Sequence, residues 1–481
     1  MSAPPQVADT TARASSGAVT LAARYLFVGL LNLGATTLLV RHLGPAAWAS
    51  YGVALFLANF IDQYLGSKLL AAVVASREPS RGLLRSSAYL MQIVGRLALL
   101  IAIIAMLPVS KLTALHSPLA MCAASGICGY VYVSRALPSA LMERRLEYRL
   151  IGAGEVLDQI TFTVLAVALV LGGLGLAGVM LALAVQGLPT LVLWRRHTHP
   201  TPFLGHRGKA LAAILGYAVP GSGVAVCVLV EGAVPMVAFS FAHARLLGLA
   251  ITSSSILSYP GVAVLVLQRI SFPAFARAAH PERLNRALNE VSAAAAAILI
   301  GAEGLAGITC PWWLPWLFGS RWHGAWPLTA CYAACYVLLG QINVLTGALY
   351  AAGRPLGALL TWAWMAVPWV LGAALWMLFG RPVWLVAVLL AARVLGLLAG
   401  RLQLRRAGLS ARVDRALIKC ALAAAATVGG ASAVATHRSA LIVVALVVLA
   451  VVEAVALWDA RVPLRALCAS VLKRGAVELA H

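Results

Sequence analysis

Ionisable side chains stand inside the long apolar runs of this sequence. They are Arg24, Asp62, Lys68, Arg96, Glu155 and Asp158 in the first half, and Glu231, Glu303, Arg393 and Glu453 in the second. On insertion scales such a group costs about 2.5–3.5 kcal/mol at the centre of a bilayer unless it is kept from lipid, so each marks a candidate site. Arg24, Lys68 and Arg96 come from three segments of one half. They can face one cavity and hold an anionic headgroup, a diphosphate for instance, by charge-assisted hydrogen bonds. Arg393 is the corresponding cation of the second half. Each can instead pair with a carboxylate as structural glue, Arg393 with Glu303 and the others with Asp62, Glu155 or Asp158. Glu155 and Asp158, three residues apart, present two carboxylates on one helical face, which suits a coupling cation or proton or the neighbouring Arg144, Arg145 and Arg149. Glu231 follows a helix break at Pro220-Gly221-Ser222-Gly223, an arrangement that rocking transporters use for binding and bending. Asp62, Glu155, Asp158, Glu231 and Glu303 are therefore the ion-coupling candidates.

Other patterns lead away from enzymatic chemistry. Gly173-Leu174-Gly175-Leu176-Ala177-Gly178 satisfies the dinucleotide fingerprint, but it lies between two apolar runs with no strand before it and reads as a tight turn. His197, His199 and His206 lie in a basic loop without an acidic or cysteine partner, and Cys331 and Cys335 share a helix face with no third ligand near. No metal or cofactor site is expected, and no nucleophile–base spacing occurs.

The elements that carry these groups follow from composition. Of 481 residues, 62% are hydrophobic and 11% charged, against roughly 25% charged in soluble domains; the mean hydropathy is +0.91. The net charge of +22 sits in short connectors, which excludes a nucleic-acid-binding domain and points to loops facing anionic headgroups. At about 20 apolar residues per span, the chain divides into about fourteen runs: 16–40, 46–75, 86–107, 112–136, 150–172, 174–193, 210–239, 246–270, 291–309, 327–351, 356–379, 383–400, 418–435 and 439–457. Alternate connectors are rich in Arg and Lys (Arg77, Arg81, Arg85; Arg195, Arg196, Arg207, Lys209; Arg401, Arg405, Arg406, Arg412), while the others hold at most one, such as Arg41, Lys111 or Arg245. The positive-inside rule then places both termini in the cytoplasm. Segment 273–290 has charges at helical spacing and is expected along the cytoplasmic interface, and Trp312, Trp313, Trp316, Trp322 and Trp326 are expected as an interfacial aromatic anchor. Matching connectors around Arg145 and Arg354 suggest an internal repeat. The expected organisation is an all-α polytopic protein: a tail at 1–15, six helices at 16–195, a linker at 196–209, six helices at 210–401, a helix pair at 402–459 and a tail at 460–481.

A family resemblance rests on loop segments in order: Leu43-Gly44-Pro45 through Tyr51; Pro138-Ser139-Ala140-Leu141-Met142-Glu143-Arg144 with Tyr148-Arg149; Tyr259-Pro260; Arg269-Ile270-Ser271-Phe272-Pro273 through Arg277; Leu317-Phe318-Gly319-Ser320-Arg321-Trp322; and Ala351-Ala352-Gly353-Arg354-Pro355. Over roughly 22–401 the chain resembles bacterial polysaccharide repeat-unit flippases of the multidrug/oligosaccharidyl-lipid/polysaccharide exporter superfamily. It departs at Glu231-Gly232, where many relatives carry an Asp-Arg pair. The resemblance implies two six-helix lobes around a central cavity plus a C-terminal pair, in the bacterial inner membrane. It implies alternating-access transfer of an undecaprenyl-diphosphate-linked sugar unit to the outer leaflet, with membrane lipids, a polysaccharide polymerase and glycosyltransferases as partners. A drug antiporter of the same superfamily is one alternative. A polytopic glycan polymerase or glycosyltransferase is another, and it needs acid/base groups on an outside loop that offers only Arg321 and His323.

Overall fold

A computed structural model describes residues 24, 27–62, 70, 73, 80–112, 115–145, 147–198, 223–224, 226–233, 236, 243–277, 281–379, 383–409 and 413–478, and these contain helices and turns without a strand. The helices are α1 (Phe27–Leu43), α2 (Pro45–Phe60), α3 (Arg81–Leu112), α4 (Pro118–Arg144), α5 (Tyr148–Leu169), α6 (Gly175–Val185), α7 (Leu188–Thr198), α8 (Ala244–Arg277), α9 (Pro281–Phe318), α10 (Trp326–Ala351), α11 (Pro355–Phe379), α12 (Val383–Arg406), α13 (Val413–Ala435) and α14 (Ser439–Glu478). Of the runs 16–40, 46–75, 112–136 and 210–239 only part is described; the described residues of the apolar runs fall largely on helices. Seven helical stretches among the described residues are long and apolar enough to cross a membrane. Outward faces confirm the solvent: Leu97, Leu100, Ile101, Ile103 and Ile104 of α3, and Val443, Val444, Val447, Val451 and Val455 of α14, are exposed in continuous apolar stripes that water would not tolerate. This is a multi-pass membrane protein.

The turns obey local chemistry. After α10 the chain reverses at Gly353, whose φ of 70° lets Arg354 N donate to Leu349 O at 2.9 Å and close the helix end. The glycine motif at 173–178 begins in a turn and runs into the start of α6. A π-helical turn at Val170–Leu174 links α5 to α6, with Gly173 at φ 91°, a conformation that a side chain would strain.

The residues form two compact units, one of 1–232 and 236–248, the other of 233–235 and 249–481. In the first, α4 is central and touches α2, α3, α5, α6 and α7. In the second, α10 is central among α9, α11, α12 and α13, and α9 also packs on α13 and α14. Described residues up to 232 belong to the first unit, and the C-terminal helix pair packs into the second, where Ala423, Ala424, Leu449 and Val452 join Leu288, Ile300 and Leu345 in one core. Segment 460–478, expected as a tail, continues α14, which at 1.5 Å per residue is about 60 Å long. Segment 273–290, expected along the cytoplasmic interface, holds the end of α8 and the start of α9, where Pro281 opens a helix whose Leu284 and Leu288 are buried. The tryptophans divide: Trp312 and Trp316 are exposed as anchors would be, whereas Trp322 is 0% exposed and packs against Phe318 with ring centroids 6.1 Å apart.

Candidate functional site

Three helix faces of the first unit converge. On α4, Cys128, Tyr132 and Arg135 recur at four- and three-residue spacing and so share one stripe. On α5, Glu155 and Asp158 do the same. Gln186, at the α6–α7 turn, and Thr190 and Trp194 of α7 form the third. Gln186 Nε2 donates to Tyr132 Oη at 2.5 Å and lies 3.6 Å from Cys128 Sγ. The Arg135 guanidinium stacks 4.0 Å over the Tyr132 ring and 5.7 Å from the Trp194 ring, where the π-face favours a cation. It is ion-paired with Asp158 and lies 3.9 Å from the carboxylate of Asp62, which follows α2. Arg24 pairs with Glu155, its stem passing where Gly152 has no side chain.

Close helix approach holds the cluster in place. A Cβ on Gly154 would fall 2.6 Å from the Trp194 indole, so glycine there lets α7 seat on α5. Trp194 Nε1 donates to Leu150 O at 3.2 Å, and Thr190 Oγ1 donates to Gly154 O at 2.7 Å. Two guanidinium groups thus meet three carboxylates. The guanidiniums are inside, with side-chain exposures of 7% for Arg24 and 11% for Arg135, whereas Glu155 is 39% and Asp62 28% exposed. The cluster therefore opens on its acidic side, and among the described residues the carboxylates outnumber the guanidiniums by one. Removing one partner of a buried pair strands the other charge, at a cost of about 3–5 kcal/mol.

The structure brings Arg24, Asp62, Glu155 and Asp158 together, and Arg24 is not an unmatched cation. Arg96 stands apart, exposed on α3; Lys68 lies outside the described residues, as do Pro220, Gly221, Ser222, His199 and His206. Glu231 is half-buried in the helical stretch 226–233. In the second unit Arg393 is buried with Nη1 3.6 Å from Met365 Sδ, and Glu303 is 0% exposed with neither carboxyl oxygen hydrogen-bonded. The expected Glu303–Arg393 pair does not form. His197, expected without an acidic partner, has its Nε2 3.1 Å from Glu147 Oε2. Cys331 and Cys335 are buried free thiols, and the described residues contain no group of three or more His, Cys, Asp or Glu placed to hold a metal ion. The residue that sequence reasoning missed is Arg135. It stands at the last turn of the run 112–136, where a charge reads as the end of a span. The stripe Cys128–Tyr132–Arg135 on an otherwise apolar helix was the available signal.

Residues 38–327 match the family described as polysaccharide biosynthesis protein. The chain belongs to that family. No curated protein matches it. Among solved structures this polysaccharide biosynthesis protein is similar to the lipid II flippase MurJ in an inward closed conformation, with a TM-score of 0.66 and 11% identity over 91% of this chain and 98% of that one. It is similar to a multidrug resistance MATE family transporter of the MOP superfamily, inward-facing, with a TM-score of 0.59 and 14% identity over 83% and 98% of the two chains. A MOP superfamily transporter from Pyrococcus furiosus gives 0.54 and 14% over 84% and 95%. At these identities the likeness is one of fold. The polysaccharide biosynthesis family member thus has the helical architecture of these membrane transporters along nearly its whole length.

Proposed function

We propose that this protein moves an undecaprenyl-diphosphate-linked oligosaccharide from the inner to the outer leaflet of the bacterial inner membrane, with both termini cytoplasmic, to supply polysaccharide assembly. It acts as a transporter and not as an enzyme, and the polymerase and glycosyltransferases of the same pathway are its partners. The observation that carries this reading is the buried Arg24–Glu155 and Arg135–Asp158 cluster, set in a chain of the polysaccharide biosynthesis family with a flippase-like fold. A diphosphate cannot cross hydrocarbon bare, because desolvating it is prohibitive. Guanidinium groups supply bidentate partners for it, and the exposed carboxylates supply the exchange. A proton taken up by Glu155 neutralises that carboxylate and releases Arg24 to the phosphate oxygens; loss of the proton returns Arg24 to Glu155 and releases the lipid. Asp62 and Asp158 stand in the same relation to Arg135. Alternating access moves the headgroup while the polyprenyl tail stays in the bilayer.

The test is transfer of a fluorescent polyprenyl-diphosphate sugar across vesicles holding the purified protein, read by a membrane-impermeant quencher. Wild type flips the probe. Arg24→Gln and Glu155→Gln each lower the rate by about tenfold or more, the scale of one charge-assisted hydrogen bond, while the protein stays monodisperse. Undiminished flipping in both variants removes the cluster from the mechanism. A second reading, drug antiport, is favoured by the excess carboxylate, which suits a cationic substrate. Efflux of a cationic dye from the same vesicles without lipid flipping decides for it.

A further inference from the structure

Glu303 lies in the middle of α9, wholly enclosed, with neither carboxyl oxygen hydrogen-bonded. Glycines clear the faces of α9 that meet α13 and α14. A Cβ on Gly304 would fall 2.5 Å from Leu449 of α14, one on Gly307 2.3 Å from Thr427 of α13, and one on Gly301 2.8 Å from Glu453 Oε1 of α14. The helices meet backbone to side chain, as small-residue seams in membranes do. The Oε2 of Glu453 is likewise buried without a partner. Glu453 meets α9 at Gly301, about 200° around the helix from Glu303, so the two carboxyls do not share a face.

Among the described residues no charge nearby is placed to balance Glu303. On α13, Asp414 is held by Arg401 and Arg405, Lys419 pairs with Asp459 of α14, and Arg415 is exposed. On α14, Arg461 stacks 3.7 Å over Trp458, which leaves Glu453. From α10, Ala333 meets Gly307, one turn along α9 from Glu303, and brings no charge, and the turn at Ser320–Ala325 carries Arg321 and His323, both exposed. Thr427 spends its hydroxyl proton on Ala423 O at 2.7 Å.

We propose that Glu303 is a proton-binding site of the second unit, and that its occupancy sets how tightly α13 and α14 pack on α9. A metal cation would need several oxygen ligands, and only one carboxyl is here. A proton needs one oxygen. With the proton bound, Glu303 is a neutral side chain that an enclosed site can hold. Without it, a bare charge sits in a dry seam and is relieved only if water enters and the helices part. This site is separate from the charge cluster of the first unit and does not rest on the flippase reading.

The experiment uses the full-length protein in lipid vesicles, without transport substrate, and follows two signals against pH: the infrared carbonyl stretch of protonated carboxyls and hydrogen exchange of the α13 and α14 amides. Wild type shows a carboxyl band that disappears as pH rises, with amide exchange in α13–α14 rising about tenfold over the same interval, as local opening requires. Glu303→Gln, nearly isosteric, lacks the band and exchanges slowly at every pH. Glu453→Gln, on the other face of α9, keeps the Glu303 band and its pH response. Wild-type amide exchange that is flat with pH, or a Glu303→Gln variant with the wild-type band and pH response, overturns the proposal. Because the wild-type measurement stands alone, a variant that does not fold leaves the decision intact.

Discussion

Helices α4 and α10 occupy the same place in their respective units, yet one is charged where the other is dry. The register that aligns Arg145 with Arg354 sets Arg135 opposite Val344, Tyr132 opposite Gln341 and Cys128 opposite Val337. On the following helices the same register sets Glu155 opposite Trp364 and Asp158 opposite Val367. The whole set is present in the first unit and its central members are missing from the second, where Val337, Gln341 and Val344 are fully buried and Gln341 bonds only within the core, accepting from Ser292 Oγ at 2.6 Å. Buried charges are thus kept or lost together, as expected when a lone member is too costly to retain. The comparison separates a unit whose buried charges form one cluster from one whose central helix is apolar and whose buried Glu303 and Arg393 do not pair with each other.

The largest effect comes from forcing the first unit's chemistry on the second. Val344→Arg places a guanidinium in a fully enclosed site with no carboxylate in register, and an unpaired buried charge costs more than a domain's whole stability of about 5–15 kcal/mol. No folded protein should be recovered from membranes, as read by abundance and size-exclusion chromatography. The converse change, Arg135→Gln, strands Asp158 and is expected to cost about 3–5 kcal/mol, lowering the unfolding temperature in detergent. Arg135→Leu combined with Asp158→Leu should restore most of that loss. If Arg135→Gln is as stable as wild type, the cluster is not a coupled set and the contrast between the units fails.

A smaller effect tests packing. Gly154→Ala drives a methyl into the Trp194 indole, a ring that is 2% exposed and cannot move, and overpacking of this kind costs about 1–3 kcal/mol. Gly301→Ala in the second unit meets only the far end of the Glu453 side chain, which can rotate aside, so it should cost less than about 1 kcal/mol. Equal losses in thermal stability would show that the two units are packed with the same tolerance.

The helices were legible because an apolar span is long enough to average out local noise: 356–379 became Pro355–Phe379, and 418–435 became Val413–Ala435. Intramembrane acids were legible because each is conspicuous against its neighbours, and Asp62, Glu155 and Asp158 do meet. Which cation each meets was not legible. Pairing depends on how α4 is rotated against α5, and that follows from contacts such as Trp194 on Gly154, distant in sequence. Arg135 was hidden for a different reason, since a charge at the end of a span reads as its boundary. Trp322 was misjudged because five tryptophans in one connector look alike in sequence, whereas the 3₁₀ turn at Ser320–Ala325 turns this one into the core.

The smallest effect isolates one neutral hydrogen bond in each unit. Thr190→Val removes the donation to Gly154 O but leaves that carbonyl its helical partner and keeps the shape of the side chain, so the loss is that of a single bond, about 0.5–1.5 kcal/mol. Thr329→Val in the second unit removes the hydroxyl that lies 2.7 Å from Ser253 Oγ; Ser253 still donates to Leu249 O at 2.8 Å, and the loss should fall at or below the same range. If stability is all that these hydroxyls provide, both variants flip lipid at the wild-type rate and shift the unfolding temperature by similar small amounts. A Thr190→Val protein that is stable but slow would extend the charge cluster to α7. It would mean that the seat of Trp194 on α5, and not only the ion pairs, sets the position of Arg135 during the cycle, and the difference between the units would then lie in their hydrogen-bonded scaffolds as well as in their charges.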